Sequence, residues 1–344
     1  MNEKLNFGSD YTKGAHPAIM QRMLETNMMQ TAGYGLDEIS ESARRRIREA
    51  CGCEQAAVEF LVGGTQTNAV MIDALLKSYQ GVLAAETGHI STHEAGAIEA
   101  GGHKVLTLPN QFGKIAPESA EKYLADFYND ANHDHMVMPG MIYLSHPTEY
   151  GTLYSKAELA AFREICDKYG ISLYVDGARL AYALASPESD VTLRDLAKYC
   201  DAFYIGGTKC GALFGEAVVV PDPKKIPHLF TIIKQHGALL AKGRLLGIQF
   251  DELFRDGLYE RIGEPAIRAA KSIKKALREK GYRLYFDNPT NQIFYVMENE
   301  VLKKLEEKVE YSFWEKYDDD HTVIRFATDW GTTEEETRAL IDAL

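Results

Sequence analysis

A lysine set among glycines is a poor core residue and a good covalent anchor. Lys209 follows Gly206 and Gly207, precedes Gly211, and lies just after an apolar run that reads as a buried strand. A lysine becomes a nucleophilic amine when its pKa is depressed, and a partly desolvated, cation-flanked pocket does that. Upstream, Asp176-Gly-Ala-Arg179 ends the alternating run 171–175. A carboxylate at the end of a buried strand suits a buried cation. Together the two residues meet the needs of pyridoxal phosphate (PLP): a lysine that holds the cofactor as a Schiff base, and an aspartate that keeps the pyridine nitrogen protonated so that the ring accepts electrons. Taken singly, a solvated lysine and a turn aspartate explain them equally well, so the pairing carries the reading.

The other polar residues fit the same chemistry. Gly63-Gly64-Thr65 sits where a strand turns into a helix, and a glycine-rich turn at a helix N-terminus favours a phosphate. The same tripeptide also serves as a tight turn with a threonine cap. Thr208, next to Lys209, offers a hydroxyl to the same phosphate. His89 follows another strand; it is either a packed or capping residue or a flat ring placed to stack on a pyridine. Arg325 interrupts the apolar strand pattern 323–327 and needs a partner there. A substrate carboxylate would meet its guanidinium fork in bidentate fashion.

The elements that must position these residues alternate. Between about residues 56 and 220, short apolar runs are followed by segments of helical period: strands at 57–62, 81–85, 103–108, 141–144, 171–175, 202–205 and 217–220, with helices at 65–79, 92–100, 117–129 and 156–169 between them. Such alternation predicts an α/β fold with a mostly parallel sheet covered on both faces, which binds ligands beyond the carboxyl ends of its strands. Residues 63–64, 86–89, 146–152, 176 and 206–209 all fall at such ends. After residue 223 the mode changes to helices, the longest near 259–280, mixed with strands at 282–287, 292–297, 309–314 and 322–327 and a last helix at 332–344. This predicts a large domain over 1–245, with an irregular first forty residues, and a smaller α+β domain over 246–344.

The bulk properties exclude several function classes. The chain has 344 residues, 45% hydrophobic and 26% charged, with a formal net charge of -12. No basic block suggests nucleic acid or an anionic membrane, and no apolar run approaches the length of a membrane span. The start lacks a secretory pattern. Five scattered cysteines read as reduced thiols of a cytoplasmic protein, and Cys51-Gly-Cys53 has no second pair at zinc spacing, so no metal is expected.

With these residues in place, the chain resembles the threonine aldolase / β-eliminating lyase family of PLP fold-type I enzymes, over nearly its whole length. The resemblance rests on Ser9-Asp10, Tyr34 to Glu38, Gly63-Gly-Thr65, His89 with Glu94-Ala-Gly96, Asp176-Gly-Ala-Arg179, Lys209, and Ile324-Arg325 ahead of Asp329-Trp330. It implies a seven-stranded sheet in an α/β/α domain. It also implies that Lys209 anchors the cofactor, Asp176 meets the ring nitrogen, His89 stacks on the ring, and Gly64, Thr65 and Thr208 hold the phosphate. Ser9, Arg179 and Arg325 would hold the substrate carboxylate. Tyr34 would reach a neighbouring subunit's site, and Lys234 would offer a cation to a neighbour's phosphate, so a dimer is the minimum unit and a homotetramer the expected assembly. One stretch departs from the family pattern: residues 144–151 replace the usual Glu-Asn-Thr-His-Asn type segment. Either His146 takes the place of the family histidine there or the alignment is offset by a residue or two; with His89, His146 is a candidate base for a β-hydroxyl. The implied activity is retro-aldol cleavage of L-threonine or L-allo-threonine to glycine and acetaldehyde. The alternatives are β-elimination from serine, cysteine or aromatic amino acids, and a non-catalytic relative of the fold.

Overall fold

A computed structural model describes residues 4–344. Seven strands form the large sheet: β1 (Ala57–Leu61), β2 (Gln80–Ala85), β3 (Val105–Leu108), β4 (Met138–Ser145), β5 (Ser172–Asp176), β6 (Ala202–Gly206) and β7 (Glu216–Val220). Their spatial order is β1-β7-β6-β5-β4-β2-β3. All adjacent pairs are parallel except those of β7, which runs antiparallel to both β1 and β6. The strands read as continuous apolar runs because helices cover both faces. Side-chain alternation divides β4, β5 and β6 between two cores: Ile142, Leu144, Leu173, Val175, Phe203 and Ile205 face one way, and Met141, Tyr143, Tyr174, Ala202 and Tyr204 the other.

The helices are well punctuated. Ser155 and Glu158 form a capping box at the start of Lys156–Tyr169, and Gly170 ends that helix in the left-handed region. The expected helix at 92–100 is instead two short ones, His89–Thr92 and Ala97–Ala100, because Ala95 and Gly96 between them adopt positive φ. The first forty residues are not irregular throughout: Pro17–Thr26 is a helix, opened by Pro17 and capped by His16.

The smaller body is a four-stranded antiparallel sheet of β8 (Arg283–Leu284), β9 (Gln292–Glu298), β10 (Ser312–Lys316) and β11 (His321–Ala327). Ile293, Tyr295, Ile324 and Phe326 pack with Ile273, Leu277 and Leu340 of the helices Glu264–Glu279 and Glu334–Ala343. The N-terminal segment joins this body: Leu5–Asn6 pairs with Val309–Glu310, and Phe7 enters the same core. Helix Arg244–Leu253 belongs elsewhere. Its Leu246, Phe250 and Leu253, with Tyr259 and Ile262 beyond it, pack in the core of the large sheet. We therefore propose that the two bodies divide near Gly263 rather than between residues 245 and 246.

Candidate active site

Alternation along the strands puts Asp176 on the same sheet face as Tyr143, Tyr174 and Tyr204. Asp176 is buried. Its Oδ2 accepts from the Tyr143 hydroxyl at 2.6 Å and from Asn68 Nδ2 at 3.1 Å, while Oδ1 accepts from the Ala178 N–H at 3.0 Å. Burial alone would raise this carboxyl, but the neighbouring His89 and the hydroxyls of Tyr143 and Tyr204 hold it below its ordinary value. The result is a buried, ionised carboxylate.

The loop after β6 meets the loop after β5 closely: the Gly206 N–H donates to the Gly177 carbonyl at 3.0 Å. A Cβ on Gly177 would collide with the Tyr204 carbonyl, and one on Gly206 with the Ala178 carbonyl. Glycine is thus required for the two loops to lie side by side, and this brings Asp176 and Lys209 to one cavity. The lysine loop is itself pinned. The N–H groups of Gly207 and Thr208 both donate to the Gly215 carbonyl, at 3.0 and 3.1 Å, and the Tyr182 hydroxyl donates to the Lys209 carbonyl at 2.5 Å. Burial, then the charge of Arg179, push the Lys209 amine below its ordinary pKa. A nucleophilic lysine requires that condition.

The cavity has two chambers. The inner one, about 170 Å³, is lined by Gly63, Gly64, Thr65, His89, Asp176, Arg179, Thr208, Lys209 and Glu216 among others. The outer one, about 520 Å³, shares His89, Glu149, Arg179 and Lys209 and adds Tyr11, His93, Tyr150, Trp314 and Arg325. Gly63 caps helix Gly64–Leu75 without a side chain, so the first N–H groups of the helix remain available to a ligand. Thr208 lines the chamber, but its hydroxyl donates to Glu216 Oε1 at 2.8 Å and accepts from the Gly215 N–H at 3.0 Å. Glu216 also accepts from the Gly207 N–H at 3.0 Å, and burial pushes its carboxyl up to about 7.

The His89 ring is fixed by Nδ1, 2.7 Å from Glu94 Oε1, and Glu94 is in turn bound by Asn68 Nδ2 at 2.7 Å. Arg179 grips Asp10 through Nε at 2.6 Å and Nη2 at 3.0 Å. Burial would raise the Asp10 carboxyl, but Arg179 and Lys209 hold it well below the usual carboxylate range. Arg325 differs. Period-two alternation turns it away from the core that holds Ile324 and Phe326. Its Nη1 donates to Gln292 Oε1 at 3.0 Å, its Nη2 donates to Gly8 O at 3.1 Å and Ser312 Oγ at 3.0 Å, and its Nε is buried without a partner. Burial, then Arg179, push it down to about 10. It is a cation held by neutral acceptors at the edge of the outer chamber.

Lys209, Asp176, His89, Gly64, Thr65, Thr208, Arg179 and Arg325 therefore come together. His146 does not line either chamber. It is buried with Nδ1 accepting the Tyr154 N–H at 3.2 Å, and burial, with Lys114, pushes it down to about 4. The structure therefore places this candidate base outside the cavity. Ser9 also lies outside the lining, with a buried Oγ that has no partner. Tyr34 and Lys234 are exposed, and the Lys234 amine sits 4.6 Å over the Tyr34 ring. Asp10 and Glu94 lay within the quoted motifs without a role. Tyr143 and Glu216 are signalled only by alternation on the strand face that carries Asp176, and no local pattern signals the helix residue Asn68 or the loop residue Glu149.

The residues present suit PLP: an amine with a lowered pKa, an ionised buried carboxylate, and an uncapped helix N-terminus around one cavity. Comparison with known proteins agrees. The sequence model described as beta-eliminating lyase matches residues 6–300. A low specificity L-threonine aldolase of a Pseudomonas species is 29% identical, over 98% of this chain and 96% of its own length. The solved structure of a Leishmania major threonine aldolase is 41% identical with a TM-score of 0.95, covering 98% of this chain and 97% of that one. An aspartate aminotransferase of Thermus thermophilus, at 14% identity and a TM-score of 0.72 over 99% of this chain and 91% of its own, shares the fold. Cavity, fold and sequence agree that this chain belongs to the β-eliminating lyase family of PLP-dependent enzymes.

Proposed function

We propose that the protein is a PLP-dependent aldolase that cleaves β-hydroxy-α-amino acids between Cα and Cβ, converting L-threonine or L-allo-threonine to glycine and an aldehyde. The observation that carries this reading is that an arginine without a carboxylate partner, Arg325, lines the same cavity as Lys209. An α-amino acid presents an amine and a carboxylate on adjacent positions, and those two residues are complementary to it. The similarity to threonine aldolases over nearly the whole chain supports the bond that breaks.

The geometry supports a role for each residue. Lys209 would anchor the cofactor. The N–H groups at Gly64 and Thr65 would hold its phosphate, and Asp176 would pair with its ring nitrogen. When bound, PLP supplies an electron-accepting ring conjugated with the substrate amine. Asp176 keeps its own charge through Tyr143, Asn68 and the Ala178 N–H, so it holds a proton on its partner rather than taking one. Glu94 locks the His89 ring as a flat wall shared by both chambers. Arg325 binds the substrate carboxylate, and Arg179, already neutralised by Asp10, positions it.

Product analysis tests the reading: aldol cleavage of L-threonine releases glycine, whereas β-elimination releases ammonia and a keto acid. Purified, PLP-loaded protein that releases no glycine from L-threonine, L-allo-threonine or L-phenylserine would refute it. The exposed Tyr34, close in chain to Leu24 (72% exposed), Met28 (89%) and Leu36 (64%) and covered by the Lys234 amine, supports assembly into dimers, and from these a tetramer, in which Tyr34 and Lys234 reach a neighbour's cofactor site. Five free, buried cysteines support a reducing, cytoplasmic setting. No helix among the described residues is long and apolar enough to cross a membrane.

A further inference from the structure

We propose that Glu149 is the base that accepts the β-hydroxyl proton during Cα–Cβ cleavage and returns it when the aldehyde adds back. The assignment rests on the aldolase reading.

Three observations carry it. Glu149 lines both chambers, so it stands where the cofactor space meets the substrate space. Its carboxyl is oriented with one oxygen left over. Oε1 accepts from the Ser145 hydroxyl at 2.7 Å and from the His89 backbone N–H at 2.9 Å, whereas Oε2 is buried with no hydrogen-bond partner. A buried, unpartnered carboxylate oxygen beside a cavity is a proton acceptor awaiting a donor. Finally, the histidines are poorly placed for the task. His146 lies outside both chambers with Nδ1 bound to the Tyr154 N–H, and the Nδ1 of His89 is taken by Glu94. His93 lines the outer chamber alone. Burial also raises the Glu149 carboxyl above its ordinary value, which makes the carboxylate a stronger base.

The step balances. The hydroxyl O–H bond breaks, its proton passes to Oε2, and the electron pair left on oxygen becomes the second bond of the aldehyde C=O. The Cα–Cβ pair stays with Cα, which takes up one proton as glycine forms. One proton leaves the oxygen and one joins the carbon, so no oxidant or reductant is involved.

Glu149→Gln keeps the shape and the acceptor facing Ser145 but cannot take a proton. With PLP-loaded protein, kcat for L-threonine cleavage should fall by about 10²–10⁴-fold, the range of a general base. KM should hold. The affinity for glycine, read by absorbance titration, should not change, because glycine has no β-hydroxyl. Exchange of the glycine α-proton in D₂O should also persist. The unfolding midpoint of the cofactor-free variant reports whether it folds, and Glu149→Asp, which keeps the carboxyl but withdraws it by one methylene, should show a smaller loss of kcat with the same intact glycine binding. Unchanged kcat in Glu149→Gln overturns the assignment, as does loss of glycine binding in parallel with kcat, which would make Glu149 a support for His89 instead. So does a kcat loss that appears in His93→Asn and not in the Glu149 variants. Wild-type protein that releases no glycine overturns the aldolase reading itself and this assignment with it.

Discussion

Replacing Arg325 with glutamine should remove most of the discrimination between an amino acid and the amine that lacks its carboxylate. The guanidinium makes three hydrogen bonds, all to neutral acceptors: Gln292 Oε1, Gly8 O and Ser312 Oγ. None of them neutralises its charge, and burial has pushed it from 12.5 down to about 10. Holding that charge in the folded protein therefore costs about 3 kcal/mol at 1.36 kcal/mol per pKa unit. A carboxylate in the cavity reverses this penalty. Charge-assisted hydrogen bonds contribute roughly 1.5–3 kcal/mol each, so a single such contact accounts for roughly 10- to 100-fold in affinity and a bidentate pair for about 10²-fold or more. Glycine and methylamine differ by the carboxylate alone. Absorbance titration of the PLP-loaded variant should show the glycine Kd raised on the order of 10²-fold, with the methylamine Kd unchanged. Removing the strained charge should also leave the cofactor-free variant at least as stable as the wild type. The reasoning fails if glycine and methylamine weaken equally. It fails too if Arg179→Gln produces the whole carboxylate effect, because the Arg179 charge is already matched by Asp10.

Three further outcomes are expected. Asp10→Asn leaves the Arg179 guanidinium without its buried counter-charge and should lower the unfolding free energy of the cofactor-free protein by about 3 kcal/mol, measured by urea titration. Glu216→Gln tests a carboxyl whose folded pKa, about 7, lies above its ordinary 4.5. Such an acid costs the fold stability as pH rises above its unfolded value, and the cost is complete above the folded value. The variant should therefore gain roughly 2–3 kcal/mol relative to wild type between pH 5 and pH 8, and a pH-independent difference would contradict the assigned burial. Asp176→Asn should lower kcat on the order of 10²–10³-fold or more, with the glycine α-proton exchange rate falling alongside it, since the charge paired with the ring nitrogen would serve both reactions.

Asp176 and Lys209 could be read from the chain because one ends a buried strand and the other closely follows one, and strand ends of a parallel sheet share one rim. Alternation also located Arg325: an arginine between Ile324 and Phe326 has to point away from the core they fill. What could not be read was set by contacts across long sequence distances. Asp10 meets Arg179 only because the N-terminal segment, stitched to Val309–Glu310, runs on to the loop after β5. The sequence points to His146 and is silent on Glu149 because periodicity stops at the strand's last residue. Beyond Ser145, whether a loop residue faces the rim or the core depends on how the chain turns, and here Tyr154 draws His146 inward while Ser145 and the His89 N–H hold Glu149 at the cavity. Helix Arg244–Leu253 carries apolar residues that would suit either body. Its assignment to the large sheet follows from its packing against helices Pro17–Thr26 and Glu38–Cys51, which no local pattern reveals.

The antiparallel course of β7 bears on how Lys209 can move. In an all-parallel sheet, the chain leaving β6 would cross over through a helix before re-entering, and its loop could swing as a lid. Here the chain turns straight back into a neighbouring strand, so residues 207–215 are bracketed by paired backbone at both ends. The reversal also places Glu216, the first residue of its strand, among the last residues of the others. The lysine's main chain is thus tied to the sheet at both ends of a short loop, and any travel of its amine between anchoring the cofactor and releasing it to a substrate would fall to the methylenes of one side chain.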